Sequence, residues 1–267
     1  MSYPSPDTLG AAGLEIAVDG AVLTVTLNRP EARNAQTPAM WRALAAVGAA
    51  VDDAVRVVVL RGAGASFSAG LDRAMLTPQG IDGERTFPEM AAGTLEDFDA
   101  TVGSYQEGFT WLRDPRFVSI AAVQGHAVGA GFQLALACDL RIVAEDAQLC
   151  MKEPALGLVP DLTGTKPLVE AVGYARALEI CATARWVAAD EAARIGIALE
   201  AVPVAGLDAR VAELVTALTS APHGAVSATK ALLQSAGALD LAAQSAAERR
   251  AQHGRFRALL AAAGGAS

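Results

Sequence analysis

The chain has 267 residues with a formal net charge of −8; 52% of its side chains are hydrophobic and only 5% are aromatic. This size and apolar content are enough for a substantial core in one large domain, or in a domain with an appendage. The acidic balance argues against nucleic-acid binding through a basic surface, and the scarcity of aromatic residues argues against a base-stacking platform.

Cysteine and histidine usage points to no metal or disulfide site. Cys138, Cys150 and Cys181 lie far apart in aliphatic surroundings, which predicts buried, reduced thiols. The three histidines are too scattered to suggest a metal site. The first ten residues do not resemble a signal peptide, and no apolar run approaches the roughly 18 residues of a membrane span. We therefore expect a soluble cytoplasmic protein.

The first elements in chain order are a hairpin, a helix and a buried strand. Residues 14–27 alternate apolar and polar side chains around Asp19-Gly20, which predicts a β-hairpin. Thr37 followed by Pro38 predicts the start of a helix, with Thr37 as its N-cap. The run "VRVVVLRG" is typical of a strand that is covered on both faces.

The middle of the chain alternates between strands and helices. Residues 77–105 are rich in Gly, Pro and acidic residues, and we predict a flexible insertion there. A helix near "YQEGFTWLRD" and strands at "FVSIAAVQG" and "LRIVAEDA" follow, with a loop and helix between the two strands. This alternation predicts an α/β fold with parallel strands and a site at their carboxyl edge.

After residue 183 the chain is Ala-rich and almost wholly helical in pattern. We predict a core over residues 1–200 and a helical C-terminal region over residues 201–267. Because helices that are apolar on several faces usually pack on something, we expect this region to contact a neighbouring molecule.

Two loops share one design. "FSAGLD" (67–72) and "GHAVGAGFQ" (125–133) each leave a strand through small residues and enter a helix. Small residues let the backbone approach a ligand closely, and the N–H groups at a helix start are unpaired. Two such loops side by side could therefore form an oxyanion hole. Gly-Ala loops are also common for tight packing alone, so this design by itself leaves both readings open.

Four linked motifs resemble the crotonase superfamily, also called the enoyl-CoA hydratase/isomerases. They are "LNRPEARNA" (27–35), "FSAGLD", "AAVQGHAVGAGFQLALACDLRIVAEDAQL" (121–149) and "EPALGLVPDLTG" (153–164). The resemblance implies a spiral of repeated ββα units with a helical C-terminal trimerisation region. It implies assembly as a homotrimer or a dimer of trimers. It also implies acyl-CoA thioesters as substrates, with coenzyme A as part of the substrate and no separate cofactor or metal.

The resemblance also implies roles for particular residues. The backbone N–H groups of Leu71 and Ala130 would hold the thioester oxygen, although Ala130 stands where the family usually has glycine. That exchange is harmless if φ of Ala130 is negative, since the donor is a backbone group. The implied CoA-binding residues are Arg33, Ala35, Ser68, Ala69, Gly70, Leu71, Asp72, Gly129 and Gly131.

The acid–base residues depart from the hydratase pattern. Typical hydratases of the family carry two glutamates; this chain keeps the second as Glu153 but has Gln133 in place of the first. An amide can orient water but cannot take or give a proton at ordinary pH. Asp161 matches a catalytic aspartate of the related dienoyl-CoA isomerases, although such an aspartate could also be a simple helix N-cap.

These residues favour double-bond isomerisation through Glu153, with Asp161 and Gln133 as further catalytic candidates. Two alternatives remain open. The first is a hydratase with altered acid catalysis, in which Asp161 handles water. The second is a non-catalytic protein that binds acyl-CoA, although the retained Glu153 speaks against it.

Overall fold

A computed structural model describes residues 2–264. Its larger sheet has six strands in the order β1-β2-β3-β4-β6-β9, and its smaller sheet has three in the order β5-β7-β8. The strands are β1 Leu14–Asp19, β2 Val22–Leu27, β3 Val57–Gly62, β4 Val118–Val123, β5 His126–Val128, β6 Leu140–Ala144, β7 Gln148–Cys150, β8 Val187–Ala188 and β9 Glu200–Val202. The predicted hairpin is confirmed, since Leu14 pairs with Leu27 and Asp19 with Val22.

The main sheet is parallel from β2 to β9 and is covered on both faces. Along β3, Val58 and Leu60 belong to one buried cluster, whereas Val57 and Val59 belong to another on the opposite face. Successive side chains of a strand point to opposite faces, so a strand between two cores needs apolar residues at every position. This arrangement explains the continuous apolar run and confirms the predicted α/β class.

From β4 to β7, consecutive strands alternate between the two sheets, which produces the spiral of ββα units. β4 lies in the main sheet, β5 in the smaller one, and a helix follows; β6 and β7 repeat the pattern. The loop after β3 extends the smaller sheet, because Ser68 forms a parallel bridge with Ala127 of β5.

The helices are α1 Pro6–Ala11, α2 Pro38–Ala49, α3 Phe87–Ala92, α4 Leu95–Thr110, α5 Ala130–Ala137, α6 Thr165–Val172, α7 Tyr174–Thr183, α8 Ala189–Arg194, α9 Leu207–Ser220, α10 His223–Ala236 and α11 Leu241–Gly264. Thr37 caps α2 as predicted, accepting a hydrogen bond from the Met40 N–H. None of the described helices is both long and apolar enough to cross a membrane.

The prediction of an irregular insertion over residues 77–105 is wrong in its second half. Helices α3 and α4 occupy most of it, and each begins with a reciprocal capping box, Thr86 with Glu89 and Thr94 with Asp97. Both pairs have the [Ser/Thr]-x-x-acid spacing that marks a helix start. The mixed polar composition of this segment concealed that signal.

The C-terminal region begins inside the sheet. β9, at residues 200–202, pairs with β6, so the predicted division after residue 200 falls within a strand. Leu207 and Val211 of α9 pack on the main sheet in the same buried cluster as Val57 and Ile142. The two helices that follow, α10 and α11, pack on each other.

A buried lysine fastens α10 to the core. Lys230 donates hydrogen bonds to the carbonyl oxygens of Asp114 and Phe117 and lies 2.7 Å from Asp139 Oδ2. The same carboxylate accepts hydrogen bonds from the N–H and the hydroxyl of Ser119. Asp139 follows the last turn of α5, so this ion pair connects the C-terminal region to the helix that enters the candidate site.

Replacing Lys230 with methionine should lower the free energy of unfolding by about 3 kcal/mol, because it leaves a buried carboxylate without its counter-charge. Urea denaturation followed by circular dichroism measures the change. Lys166→Met is the matched control: Lys166 also pairs with a glutamate but is 83% exposed, so its loss should cost less than about 0.5 kcal/mol. Equal effects of the two substitutions would show that the buried pair contributes no more than a surface one.

Candidate active site

Backbone pairing holds the loop that follows β3 against the loop that follows β5. The Ser68 N–H donates to His126 O and the Val128 N–H donates to Ser68 O, at 2.8 and 3.0 Å. Three residues later, Gln36 bridges Leu71: the Gln36 N–H donates to Gly70 O, and the Asp72 N–H donates to Gln36 O. The loop is therefore fixed between β5 and the segment before α2.

This pairing leaves two backbone N–H donors without hydrogen-bond partners among the described residues. Successive peptide groups of an extended strand point to opposite sides, so the Leu71 N–H points away from Gln36. Ala130 is the first residue of α5, where an N–H has no partner within the helix. Neither N–H has an acceptor among the hydrogen bonds of the described residues.

The two donors are close together. A Cβ built on Gly70, the residue before Leu71, would lie 3.5 Å from the Ala130 nitrogen and 2.2 Å from Val128 O. Gly131 is equally confined, because a Cβ there would lie 2.6 Å from Ser68 O. The two loops thus touch through bare backbone, as an oxyanion hole requires.

Gly129 and Ala130 each adopt a backbone conformation that their residue type permits. Gly129 has φ 50° and ψ −119°, a conformation that is open essentially to glycine alone. Ala130 is not among the residues with positive φ, so its replacement of the usual glycine causes no strain.

Glu153 lies directly beside this pair of donors. It starts a short 3-10 helix, Glu153–Leu156. A Cβ built on Gly129 would lie 3.1 Å from Glu153 Oε1. Oε1 accepts a hydrogen bond from the Gln133 side chain, whereas Oε2 has no hydrogen-bond partner in the described part of the chain. One oxygen of the Glu153 carboxylate is therefore held by a hydrogen bond, and the other makes none with the described residues.

The Gln133 amide is fixed at both ends. It is fully buried in α5, and its Oε1 accepts the N–H groups of Leu162 and Gly164 at 2.9 and 3.1 Å. Its Nε2 must then face Glu153, to which it donates at 2.7 Å. Gly164 allows this approach, since a Cβ there would lie 2.6 Å from Gln133 Cγ. Gln133 thus acts as an oriented hydrogen-bond donor.

Burial and charge shift the titration of both carboxyl groups. Burial raises the pKa of Glu153 above its ordinary 4.5, the hydrogen bond from Gln133 opposes that shift, and the charge of Asp161 adds to it. Burial also raises the pKa of Asp161 above its ordinary value. A neighbouring pair of this kind favours one protonated and one ionised carboxyl over two charges.

Asp161 is not a helix cap. The next helix, α6, begins at Thr165, its N-cap is Gly164, and no side chain caps it. The Asp161 backbone oxygen accepts a hydrogen bond from the Gln106 side chain of α4 at 2.6 Å. Helix α4 is therefore hydrogen-bonded to the segment that carries the second carboxylate, Asp161.

The residues predicted to bind CoA lie in the two loops and, for Arg33 and Ala35, in the segment before α2. Arg33 is exposed and has a left-handed backbone with φ 51°. Asp72 pairs with Arg29 at 3.0 Å. Ser68 is fully buried, and its hydroxyl donates to Asn34 O and accepts the Gly70 N–H. No three His, Cys, Asp or Glu side chains within residues 2–264 are arranged to hold a metal ion.

Sequence reasoning missed two buried amides that support the first loop. Asn34 donates to the carbonyl oxygens of Ala63 and Ser66, at 2.9 and 2.8 Å, and Gln36 donates to the Ser68 hydroxyl at 3.1 Å. The signal that could have found them is the string "RNAQ", two amides in a short polar segment before a helix.

Comparison with known proteins identifies the family. The model of the enoyl-CoA hydratase/isomerase family matches residues 17–259. The chain belongs to the enoyl-CoA hydratase/isomerase family. A Mycobacterium leprae relative named as a probable enoyl-CoA hydratase is 32% identical, over 90% of this chain and 89% of its own length. The mitochondrial Δ(3,5)-Δ(2,4)-dienoyl-CoA isomerase of Mus musculus is 35% identical over 66% of this chain and 54% of its own.

Solved structures of the family agree with the fold. A Thermobifida fusca protein to which enoyl-CoA hydratase activity is provisionally assigned is 52% identical to this chain. Its CoA complex covers 97% of this chain and 98% of its own with a TM-score of 0.92. Its acetoacetyl-CoA complex covers 96% and 99%, again with a TM-score of 0.92. The predicted crotonase-like fold is thereby confirmed.

The substitution Gly70→Ala should lower kcat/KM by about 100-fold or more, the usual effect of losing one oxyanion donor. The new Cβ would meet Val128 O at 2.2 Å at a position with φ 85°, so the Leu71 N–H must move. Steady-state kinetics on an enoyl-CoA substrate measures the loss.

Gly10→Ala in α1 is the matched control, because no atom lies within 4 Å of its added Cβ. It should leave kcat/KM unchanged. Wild-type kinetics for Gly70→Ala would show that close contact between the two loops is not needed for catalysis.

Proposed function

We propose that this protein isomerises a carbon–carbon double bond of an enoyl-CoA thioester, with Glu153 as the acid–base residue. The observation that carries the proposal is the locked Gln133 amide, whose Nε2 donates to Glu153 Oε1 while its own oxygen accepts two backbone N–H groups. The family model and the relatives named as hydratases and isomerases support the substrate class.

The Gln133 amide favours isomerisation over the addition of water. Addition of water needs a base to activate the water and an acid to deliver a proton to carbon. Gln133 can serve as neither, because an amide does not take or give a proton at ordinary pH, and both lone pairs of its oxygen already accept the Leu162 and Gly164 N–H groups. Isomerisation needs only the removal of a proton at one carbon and its return at another.

The proposed steps start at the thioester carbonyl. The Leu71 and Ala130 N–H groups hold the carbonyl oxygen, which stabilises the negative charge that develops there as an enolate forms. The ionised Glu153 removes the proton from the α-carbon through its unpartnered Oε2. The electron pair moves along the acyl chain, and a proton is delivered at the far end of the conjugated system.

Asp161 is the proposed donor of that second proton. In this proposal Asp161 carries the proton before the reaction; burial raises the pKa of this carboxyl above its ordinary value, which favours the protonated form. An acid and a base at the two ends of an extended enolate allow a double bond to move without water. Coenzyme A enters as part of the substrate, and Arg33 with the backbone of the two loops is proposed to hold it.

The proposal includes assembly as a homotrimer or a dimer of trimers. Several large apolar side chains of the C-terminal helices, Leu233, Leu241 and Leu260 among them, are exposed in the single chain. Leu156 and Val159, between Glu153 and Asp161, are exposed as well. Contiguous apolar surface of this kind favours burial against another copy, and the assembly would then also cover the segment that carries the carboxylates.

Glu153→Gln should abolish turnover while acyl-CoA binding is retained, because the substitution removes the base and keeps the shape of the side chain. The assay incubates the protein with 2-enoyl-, 3-enoyl- and 3,5-dienoyl-CoA esters in deuterated water and follows them by mass spectrometry. Isomerisation adds deuterium without the mass of water, whereas hydration adds water.

The companion variant Asp161→Asn should slow isomerisation of the dienoyl ester by about 100-fold, the lower range for loss of a general acid. Glu145→Gln, which alters an exposed carboxylate, is the control and should be neutral. A gain of the mass of heavy water on the 2-enoyl ester, with no isomerisation of the 3-enoyl and 3,5-dienoyl esters, would instead make the protein a hydratase. Tight acyl-CoA binding with no mass change on any ester would make it a binding protein.

The acid limb of the kcat/KM profile should lie above pH 4.5, because burial raises the pKa of the Glu153 carboxyl that must be ionised to act as a base. Gln133→Leu should move this limb to higher pH, since it removes a hydrogen bond that favours the ionised form. The measurement is kcat/KM from pH 4 to pH 9 for both proteins. A limb that stays in place or moves to lower pH in Gln133→Leu would contradict the role given to the amide.

A further inference from the structure

Gln36 is a fully buried glutamine whose side-chain amide is hydrogen-bonded at both ends. Its Oε1 accepts the indole N–H of Trp41 at 2.8 Å, and its Nε2 donates to the Ser68 hydroxyl at 3.1 Å. Its backbone meanwhile bridges Leu71 through Gly70 O and the Asp72 N–H. One residue thus contacts the oxyanion loop through both its backbone and its side chain.

The Ser68 hydroxyl connects the Gln36 amide to Gly70, the residue before Leu71. It donates to Asn34 O at 2.7 Å and accepts both the Gln36 amide and the Gly70 N–H, the latter at 3.1 Å. These bonds use its single proton and both of its lone pairs. The hydroxyl is therefore fully satisfied, and any shift of the Gln36 amide disturbs the Ala69–Gly70 peptide, which directly precedes the peptide that carries the Leu71 N–H.

The other end of the connection is rigid. The Trp41 ring lies in the core between α2 and α4, 5.0 Å from the Tyr105 ring and 6.2 Å from the Phe109 ring by centroids. A close-packed ring of this kind cannot turn without displacing its neighbours. The indole N–H of Trp41 is consequently fixed in position, and its hydrogen bond orients the Gln36 amide.

We propose that Gln36 is a positioning residue for the oxyanion hole, which holds the Leu71 N–H in line with that of Ala130 by linking Ser68 to Trp41. This inference rests on the proposed use of Leu71 as an oxyanion donor. Gln36 itself does not touch the thioester. Its contribution is preorganisation, because a donor that is already aimed costs no rearrangement when charge develops on the oxygen.

The Leu variant tests this role at nearly constant size. Gln36→Leu should lower kcat about tenfold or more with little change in KM, because the aimed donor acts mainly on the transition state. The infrared carbonyl stretch of bound butyryl-CoA, ¹³C-labelled at the thioester carbon and unable to isomerise, should shift down in the wild-type protein. In Gln36→Leu much of that downshift should be lost at saturating ligand.

Two further variants serve as control and as back-up. Gln244→Leu removes another amide that is bonded at both ends, between α10 and α11, and should keep the full carbonyl shift. Ser68→Ala breaks the same connection with the loss of one oxygen and should reproduce the Gln36→Leu effect. It decides the matter if Gln36→Leu fails to fold by circular dichroism.

The possible outcomes separate this inference from the proposed function. A full carbonyl shift and wild-type kcat in the Gln36 and Ser68 variants would overturn the positioning role. A normal carbonyl shift in the wild type with no deuterium in any product would overturn isomerisation and leave the Gln36 inference standing. A wild type that binds butyryl-CoA with no carbonyl shift would overturn both.

Discussion

The hydrogen-bond register of the backbone at residues 66–72 determines which N–H groups remain available at the candidate site. Ser68 is paired to β5 on one side, and Leu71 is bridged to Gln36 on the other, so the chain crosses between two partners within four residues. That crossing leaves the Leu71 N–H without an acceptor at the point where α5 begins with an equally unpaired Ala130 N–H. An unsatisfied donor near the protein interior is costly. Here both unpaired donors lie where the two loops touch, and the proposed oxyanion hole uses both of them.

The helix that begins at this point links the candidate site to the rest of the molecule. Ala130 opens α5, Gln133 lies one turn further on, and Asp139 follows the helix in contact with Lys230. The C-terminal region thus holds one end of the helix whose other end supplies the donor. The same helix, α5, therefore contributes to stability through the Asp139–Lys230 pair at one end and to the candidate site through Ala130 at the other.

Electrostatics at the site follow from one amide in place of one carboxylate. A glutamate at position 133 would place a second charge against Glu153 Oε1, which the Gln133 Nε2 now approaches to 2.7 Å. Two carboxylates at that distance would have to share a proton. With the amide there, Glu153 keeps a held oxygen and an unpartnered one, and Asp161 becomes the carboxyl that interacts with its charge.

The sequence by itself determined the architecture and indicated the candidate site residues. Periodicity predicted the hairpin over residues 14–27 and the doubly covered strand β3, since both patterns follow directly from side-chain alternation. The small-residue loops and the family motifs indicated Leu71, Ala130 and Glu153 before any coordinates. The capping boxes of α3 and α4 were also written in the sequence but were masked by the polar composition around them.

Only the tertiary structure decided how these residues act on one another. That Gln133 faces Glu153 depends on Leu162 and Gly164 presenting their N–H groups to its oxygen, a contact across about 30 residues that no local pattern encodes. That Asp161 is not a cap depends on where α6 starts, and that Gln36 reaches both Trp41 and Ser68 depends on the packing of α2. Local patterns determine which residues are near a turn or a face. The direction of a buried hydrogen bond is determined by whatever the fold brings to its other end.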